Sequence, residues 1–432
     1  MPPIGIGFVL LLLLSAGVPI AIALGMTSIV SMQTSGIPLQ SLVQRMFAGI
    51  DSFPLAAIPF FILAGALMES SGISGRLINF AQALVGRARG GLGLVTVISA
   101  MFFAAISGSS AATTAAIGSI LIPAMSLRGY PRPFATALQA ASGELGVIIP
   151  PSIPMIIFAL TAGVPVSIGD LFIAGVIPGV LIGGSLMLTV YIISRIRGYG
   201  LGAGAGSVAL EEPPEIIAAL RAAVLPILMP LIVLGGIYGG IFTPTEAAIV
   251  AVFYSLLLGL LVYRSLTLVK LMESLRSTLL STVVILLIIS TASVFGWVLT
   301  ANRIPDMIAE SLIALSDDPY VFLMVVNIFL LIVGMFIETG AAIILIAPIL
   351  TPVALKMGID PIHFGIVIIV NLAVGMTTPP VGVNLFVACQ IAGLRIEKIV
   401  KSMLPFYFTL LCDMLLITYL PQLTLWLPSV MK

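Results

Sequence analysis

The sequence reads Gly146-Val-Ile-Ile-Pro-Pro151 in the middle of one apolar stretch and Gly375-Met-Thr-Thr-Pro-Pro380 in the middle of another, 229 positions later. The same spacing relates the polar cluster Ser109-Ser110-Ala111 to the cluster Glu338-Thr339-Gly340. Interruption by glycine and proline at matching places in two halves of a chain indicates a secondary transporter and marks its binding site. We therefore predict an internal duplication with one broken helix at membrane depth in each half.

The composition is that of a polytopic membrane protein, because 60% of the residues are hydrophobic and only 8% are charged. Apolar runs near the length of about 20 residues that crosses a bilayer recur throughout the chain. No basic residue precedes the first apolar run, so we expect a retained first span and not a cleaved signal peptide.

Residues and motifs that the sequence lacks limit the possible energy sources for transport. It contains one histidine and two cysteines, too few for a transition-metal cluster, and it has no Gly-Lys dipeptide of a phosphate-binding loop. We expect no ATP site and no nucleic-acid partner. Transport energy then comes from an ion gradient or from a partner protein.

Two further apolar stretches, 91–125 and 319–355, are interrupted at their middles by Ser107–Ser110 and by Glu338–Gly340. If both are re-entrant hairpins, 14 lysines and arginines fall on one side of the membrane and 4 on the other. Lysine and arginine are enriched on the cytoplasmic side. This places the ends of the first hairpin in the cytoplasm and those of the second outside, so the two halves are inverted and both termini lie in the periplasm.

The predicted fold class is an all-α polytopic membrane protein made of two inverted repeats, each with a re-entrant helical hairpin and a broken transmembrane helix. A glycine-rich cytoplasmic linker joins the repeats; no strand precedes it, so we do not interpret it as a nucleotide loop. Short polar segments such as 266–276 are expected to lie along the membrane surface, as are 38–50, 72–86 and 304–315. The predicted boundaries are 1–197 for the first repeat (hairpin 91–125, broken helix 134–162), 198–220 for the linker, and 221–432 for the second repeat (hairpin 319–355, broken helix 363–391).

The proline pairs predict cation sites, because proline lacks an N–H and leaves a carbonyl about one turn earlier without its donor. Free carbonyls inside a bilayer need protein, water or a ligand, and they suit a hard cation. We expect at least two Na⁺ sites, each between a hairpin tip and a break. The helix-break residues are Pro150, Pro151, Pro379 and Pro380, and the expected Na⁺ ligands are Ser107, Gly108, Ser109, Ser110, Gly146, Val147 and Ile148 in one site and Thr339, Gly340, Gly375, Met376, Thr377 and Thr378 in the other.

A structural alternative applies to the same residues, since small and hydroxyl side chains are common where membrane helices pack. For Thr113 and Thr114, one turn beyond the first tip, packing is the favoured interpretation. Glu144 and Glu338 adjoin the breaks, where each is able to carry an ion or a proton or to cap a half-helix. Glu246 is interpreted as a helix cap, and Asp413 has no assigned role.

An anionic substrate would find few basic residues at membrane depth. It would depend on half-helix N-termini, on hydroxyl groups or on co-bound Na⁺. For Asn384 the alternative to substrate binding is that its side chain caps the helix that starts again after the second break. The expected substrate-binding residues are Ser110, Ser152, Thr339 and Asn384.

At these motifs the chain resembles the large membrane subunit of tripartite ATP-independent periplasmic (TRAP) transporters, the DctM-like permeases. The matching motifs are Phe60-Phe-Ile-Leu-Ala-Gly-Ala-Leu-Met-Glu69, Ser107-Gly-Ser-Ser-Ala-Ala-Thr113, Gly143-Glu-Leu-Gly-Val-Ile-Ile-Pro-Pro-Ser-Ile-Pro154, Phe242-Thr-Pro-Thr-Glu246 and Gly375-Met-Thr-Thr-Pro-Pro-Val-Gly382.

The resemblance implies an elevator-type, Na⁺-coupled importer of the bacterial inner membrane. It implies two partners, a small membrane subunit, expected here as a separate chain, and a periplasmic substrate-binding protein. The substrate class it implies is an organic acid such as a C4-dicarboxylate, sialic acid or another sugar acid. The ion sites of the family fall on Ser107, Ser109 and Ser110 with Gly146 onward, and on Thr339 and Gly340 with Gly375 to Thr378.

Two other classes compete with a transporter. A channel is one, because re-entrant loops and oxygen-lined breaks also build selectivity filters. An intramembrane enzyme is the other; it would need a base near Ser109, whereas the single histidine, His363, stands at the start of another span and a lone histidine is more often structural. We do not expect an enzyme.

Overall fold

The computed structural model describes residues 3–199, 215–304, 307, 310 and 318–431. Most of the predicted linker 198–220 and most of the predicted surface segment 304–315 lie outside the described residues. In the described part of the chain the regular elements are all helices, and no strand occurs.

The helices of the first half are Pro3–Ser15, Ile20–Thr34, Gln40–Ile50, Ala57–Ser70 after a 3₁₀ turn at Phe53–Ala56, Ile73–Val85, Gly91–Ser107, Ser110–Leu127, Arg132–Gly143, Leu145–Ile148, Ile153–Thr161 and Ile168–Arg197. Those of the second half are Ile216–Tyr238, Pro244–Leu257 continued by a π-helix at Leu258–Val262, Leu268–Ala301, Pro319–Gly334, Thr339–Lys356, Pro361–Gly375, Val383–Ala392, Ile396–Tyr419 and Gln422–Met431.

Eight of these helices are long and apolar enough to cross a membrane, or nine if one bent pair counts as a single span. The bent pair is Arg132–Ile148 with Ile153–Thr161, whose axes differ by 47° across the first proline pair. A protein with this many apolar helices is a helical, multi-pass membrane protein, as predicted.

The 229-residue spacing extends from the sequence into the helix boundaries. Ser110–Leu127 and Thr339–Lys356 start and end at positions related by that spacing. Each is capped by the side chain just before it, since Ser109 accepts a hydrogen bond from the Ala112 amide and Glu338 accepts one from the Ala341 amide. The helix boundaries do not determine which side of the membrane each hairpin enters, so the inverted arrangement stays a prediction.

The prediction of a separate surface helix at 266–276 is wrong. Segment 266–276 is not separate, because Leu268–Ala301 is one continuous helix of 34 residues that starts at the Thr267 cap. Neither proline nor glycine stands between 268 and 295 to end it. At 1.5 Å per residue it is about 50 Å long, longer than the roughly 30 Å hydrocarbon core, so its polar N-terminal turns extend beyond a bilayer.

The hairpins and broken helices interlock across the two halves. The half-helix after the first break, Ile153–Thr161, packs on Thr339–Lys356 of the second hairpin, and Val383–Ala392 after the second break packs on Ser110–Leu127 of the first. The long helix Leu268–Ala301 instead packs mainly on Ile20–Thr34, Gln40–Ile50 and Ala57–Ser70. The half-helix after each break therefore packs on the hairpin of the other half.

Close backbone contact at the second break predicts a sensitive glycine. A Cβ on Gly334 would lie 2.7 Å from the Leu372 carbonyl oxygen and 3.0 Å from the Gly375 Cα. We expect Gly334→Ala to lower the free energy of unfolding by about 1–3 kcal/mol, since backbone cannot move aside as a flexible side chain does. Thermal unfolding in detergent measures the effect.

The matched control is Gly235→Ala, because no atom lies within 4 Å of a Cβ built there. Alanine favours a helix over glycine by about 0.5–1 kcal/mol, so this variant should melt at or above the wild-type temperature. Equal melting of the two variants would contradict the close packing.

Candidate functional site

The first hairpin turns at Gly108, whose φ of +61° suits glycine, and at Ser109. Below the turn, Ser107 Oγ lies 2.9 Å from Thr113 Oγ1. The Thr113 hydroxyl donates to the Ser109 carbonyl at 2.8 Å and is fully buried. Thr113 thus joins the two sides of the tip, a position that the sequence analysis assigned to packing.

The first break lies directly against this tip. The Ile153 amide donates to the Gly108 carbonyl at 3.3 Å, and a Cβ on Gly146 would lie 2.6 Å from Thr113 Oγ1. The structure therefore brings the tip residues Ser107–Ser110 and the break residues Gly146–Ile148 together, as their proposed joint role requires.

The carbonyls of the first break differ in their partners. Prolines at 150 and 151 cannot donate to the Gly146 and Val147 carbonyls. The Ser152 hydroxyl donates to the Val147 carbonyl instead, at 2.6 Å. A Cβ on Gly175 would lie 2.7 Å from the Ile148 carbonyl oxygen, so that oxygen faces the helix Ile168–Arg197.

The second tip is capped by a carboxylate. Glu338 Oε2 accepts a hydrogen bond from the Ala341 amide at 3.1 Å. Glu338 therefore caps the helix Thr339–Lys356, which is one of the roles expected for it. The buried Thr339 hydroxyl donates to the Met376 sulfur at 2.9 Å, and the Gly382 amide donates to the Met335 carbonyl at 3.0 Å. These two contacts join the second tip to the second break.

Three carbonyls of the second break have other donors. The Thr378 backbone N–H donates to the Gly375 carbonyl at 2.8 Å, the Asn384 backbone N–H donates to the Met376 carbonyl at 3.1 Å, and the Tyr407 hydroxyl donates to the Thr377 carbonyl. Each carbonyl oxygen has two lone pairs, so one remains for a cation. Both proline pairs, Pro150–Pro151 and Pro379–Pro380, contain a cis peptide bond.

Several buried polar side chains near the breaks have atoms without a hydrogen bond to any described residue, Glu144 and Asn384 among them. Glu144 is fully buried with both carboxylate oxygens unbonded, and Asn384 is fully buried with both amide atoms unbonded. Buried polar atoms almost always have partners, so these two side chains are candidates for contact with water, an ion or a ligand. The capping alternative for Asn384 is wrong, because its side chain makes no cap hydrogen bond.

The remaining candidates have structural partners. Thr243 and Glu246 form a capping box, which confirms the interpretation of Glu246. Asp413 accepts a hydrogen bond from Ser185 on the helix Ile168–Arg197. His363 is buried, with Nδ1 2.9 Å from Thr424 Oγ1 and Nε2 3.2 Å from the Thr418 carbonyl. These contacts join the helix Pro361–Gly375 to the helices Gln422–Met431 and Ile396–Tyr419, which is a structural role.

Both hairpin tips face one cavity of about 300 Å³, which we call the tip cavity. Its wall includes Ser107–Ser109 of the first tip and Glu338 and Gly340 of the second. Three polar wall residues come from outside the predicted site: Glu69, Ser277 and Ser281. Only Glu69 had a sequence signal, as the end of one of the quoted motifs.

Four predicted substrate residues do not line the tip cavity. All are buried behind its wall, where they support the tips and breaks: Ser110, Ser152, Thr339 and Asn384. The tip cavity is thus walled by the hairpin turns, by Val147 of the first break with the half-helix Ile153–Thr161, and by two neighbouring helices, Ala57–Ser70 and Leu268–Ala301.

Comparison with known proteins gives a family match over nearly the whole chain. The sequence profile described as "Tripartite ATP-independent periplasmic transporter, DctM component" matches residues 7–423. The C4-dicarboxylate TRAP transporter large permease protein DctM of Pseudomonas aeruginosa is 43% identical, over 90% of each chain. The sialic acid TRAP transporter large permease protein SiaM of Vibrio cholerae is 39% identical, over 96% of each chain.

A further relative is longer than this chain. The isethionate TRAP transporter permease protein DctMQ of Oleidesulfovibrio alaskensis is 44% identical over 96% of this chain, which spans 64% of that protein. Among solved structures, the YdaH transporter of Alcanivorax borkumensis aligns with a TM-score of 0.63 at 16% identity, covering 88% of this chain and 87% of its own. At that identity the structural likeness shows the fold alone.

The Thr113 hydroxyl gives a direct test of the first tip. We expect Thr113→Val to lower the free energy of unfolding by about 1 kcal/mol, since it removes the hydroxyl that joins Ser107 to Ser109. Denaturation in detergent measures the loss, and Thr113→Ser should recover it.

The neighbouring Thr114→Val is a matched control, because Thr114 Oγ1 is buried without a partner in the described part of the chain. Removal of an unpartnered hydroxyl should be neutral or stabilising. A larger loss from Thr114→Val than from Thr113→Val would contradict the described tip.

Proposed function

The chain belongs to the DctM component family of tripartite ATP-independent periplasmic transporters, and we propose that it uses a Na⁺ gradient to import an organic acid anion. Members of this family are large permease subunits, multi-pass proteins of the bacterial inner membrane and not enzymes. The observation that supports the proposal most is that both hairpin tips, each packed on a proline break, face one cavity.

The charges on the wall of the tip cavity favour cation coupling. Glu69 and Glu338 lie in the wall, and no lysine, arginine or histidine is among its described residues. An anion alone would face two carboxylates in an apolar region, where a buried charge needs a partner of opposite charge. Na⁺ bound at the tips and breaks supplies the positive charge that the protein wall does not.

The proposed Na⁺ ligands are those named from the sequence. Ser107, Ser109 and Ser110 with the Gly146 carbonyl form the first site, and Thr339 and Gly340 with carbonyls from Gly375 to Thr378 form the second. Hydroxyl and carbonyl oxygens are the ligands that a hard cation prefers. The unpartnered amide of Asn384 is proposed to turn toward a ligand when the site is loaded.

An elevator movement fits the way the helices pack. Each half-helix packs on the hairpin of the other half, so the two hairpins and two broken helices are linked as one group. The long helix Leu268–Ala301 packs mainly on a different group, with a smaller contact to Thr339–Lys356, and contributes one side of the tip cavity. We propose that the first group, built from inverted repeats, moves against the second with both termini in the periplasm.

The family name and the relatives supply the proposed partners and substrates. A periplasmic binding protein would deliver the anion, and a small membrane subunit would accompany the chain. The relatives named above carry C4-dicarboxylate, sialic acid or isethionate in their names. All three are organic anions, so the proposed class is an organic acid with one or two negative charges.

Uptake into proteoliposomes tests the proposal. With the small subunit and a binding protein present, we expect saturable uptake that requires an inward Na⁺ gradient. Each elementary charge moved across 100 mV corresponds to about 2.3 kcal/mol. We therefore expect at least two Na⁺ with a monoanion and three or more positive charges with a dianion, so an inside-negative potential should stimulate uptake.

Three outcomes would contradict this proposal in different ways. Uptake that is independent of Na⁺ would exclude the coupling ion. Uptake that is independent of potential at a fixed Na⁺ gradient would exclude net charge entry. Ohmic single-channel currents would favour a channel, the class that also uses re-entrant loops.

A further inference from the structure

Asp413 is a carboxylate within the apolar helix Ile396–Tyr419, and the proposed function does not use it. Its side chain is only 3% exposed, and its hydrogen-bond partner among the described residues is Ser185 of the helix Ile168–Arg197. Both helices are long and apolar enough to cross a membrane. A charge at that depth is costly, so Asp413 needs a positive partner, water or a proton.

A second carboxylate, Glu144, is close to Asp413. It stands just before the first break, is fully buried, and neither of its oxygens has a hydrogen bond to a described residue. The nearby Thr377 hydroxyl donates to the Val374 carbonyl instead. The negative charges of Glu144 and Asp413 repel each other. Two buried charges of the same sign do not persist side by side in an apolar region, so a bound ion or a proton neutralises one of them.

The Ser185 hydroxyl has one hydrogen and two oxygens that compete for it. Ser185 Oγ lies 2.9 Å from the Ile182 carbonyl oxygen, and it also contacts Asp413 Oδ2. A carbonyl only accepts hydrogen bonds, whereas a carboxyl group donates one when it is protonated. With a charged Asp413 the hydrogen serves one contact and the other is lost. With a protonated Asp413 the carboxyl donates to Ser185, Ser185 donates to Ile182, and both contacts are hydrogen bonds.

The described elements around Asp413 bring no positive charge close to it. Its helix packs on Arg132–Gly143, Ile168–Arg197, Pro361–Gly375 and Val383–Ala392. The basic residues of these elements stand toward the helix ends. On its own helix the nearest is Lys401, about 18 Å away along the axis at 1.5 Å per residue.

The other titratable side chains on these elements, Glu144 apart, have different surroundings. Two of them hold hydrogen bonds of their own, His363 through both ring nitrogens and Tyr407 to the Thr377 carbonyl. The rest are Cys389, which interacts with Glu397 near the start of the helix, and the exposed Tyr191 and Cys412. Glu144 is therefore the ionisable group that acts on Asp413.

A proton suits these contacts better than a metal ion. A hard metal ion needs several oxygen ligands, whereas one hydroxyl is the described partner of Asp413. A second polar pair, Thr189 and Thr409, lies one helical turn from Ser185 and Asp413, with 2.7 Å between the two hydroxyl oxygens. This pair leads toward the basic ends of both helices, on the side that the charge distribution predicts to be cytoplasmic.

We propose that Asp413 is a proton site whose proton enters together with the anion, as a positive charge additional to Na⁺. Asp413 Oδ2 binds the proton and donates to Ser185 Oγ, and Ser185 turns its hydrogen to the Ile182 carbonyl. With two Na⁺, this proton is the third positive charge that net charge entry with a dianion requires. Its entry with the anion rests on the proposed function, whereas the site itself rests on the contacts of Asp413.

Infrared difference spectroscopy of the full chain in lipid nanodiscs tests the site, because a protonated carboxylic acid has a carbonyl band apart from those of carboxylates. We expect such a band at neutral pH and its loss as the pH rises and Asp413 releases its proton. Asp413→Asn should remove the band. Ser185→Ala should keep the band and shift its frequency, since the acid loses its hydrogen-bond partner.

Two further variants define the result. Glu397→Gln removes an exposed carboxylate from the same helix and should leave the band unchanged. Glu144→Gln removes the repelling charge, so Asp413 should lose its proton at a lower pH than in the wild-type chain. Absence of the band, or a band that persists in Asp413→Asn and disappears in Glu144→Gln, would overturn the site.

Transport tests the entry of the proton. Proteoliposomes with the small subunit and a binding protein are loaded with a pH-sensitive dye, at a pH where the anion is fully ionised and carries no proton itself. Na⁺-driven uptake by the wild-type chain should acidify the lumen by about one H⁺ per anion. Asp413→Asn should take up the anion without acidification and move one positive charge fewer per anion, and Glu397→Gln should behave as the wild-type chain.

The outcomes separate this inference from the proposed function. Wild-type Na⁺-driven uptake without acidification, or equal acidification in Asp413→Asn, would overturn proton entry alone. Absence of Na⁺-driven uptake together with an infrared band that is lost in Asp413→Asn would overturn the proposed function and support the proton site.

Discussion

Two consecutive prolines inside an apolar helix are the constraint on which the rest of this structure depends. Proline donates no backbone hydrogen bond, so carbonyls one turn earlier must find other partners or remain costly in a bilayer. The Val147 carbonyl receives the Ser152 hydroxyl, and the Thr377 carbonyl receives the Tyr407 hydroxyl. Each hairpin tip packs against its own break, through the Ile153 amide and the Gly108 carbonyl in one half and the Gly382 amide and the Met335 carbonyl in the other, and both tips reach one cavity.

Charge determines what the tip cavity is suited to bind. Glu69 and Glu338 lie in its wall, so it is suited to cations and to an anion only in their company. The proposed Na⁺ at the tips and breaks supplies the positive charge that the described wall lacks.

Local chemistry made part of this predictable from sequence. Pro150, Pro151 and their equivalents fix the breaks, and the 229-residue spacing places the hairpins within a few residues of their observed ends. Contributions from packing were not predictable. Thr113 contacts Ser107 across the turn, from the other helix of the hairpin, and Ser277 and Ser281 reach the tip cavity from the unbroken helix Leu268–Ala301. The side of the membrane that each hairpin enters depends on charges near the bilayer, and contacts within the chain do not report it.

Equilibrium binding of ²²Na⁺ to the purified chain tests most directly the central claim that each tip and its break form one cation site. We expect two Na⁺ per chain, one lost in Ser110→Ala and the other in Thr339→Ala, while Ser119→Ala, which alters an exposed hydroxyl on the same helix as Ser110, keeps both. Two bound Na⁺ that persist in both tip variants, or no saturable binding to the wild-type chain, would contradict it.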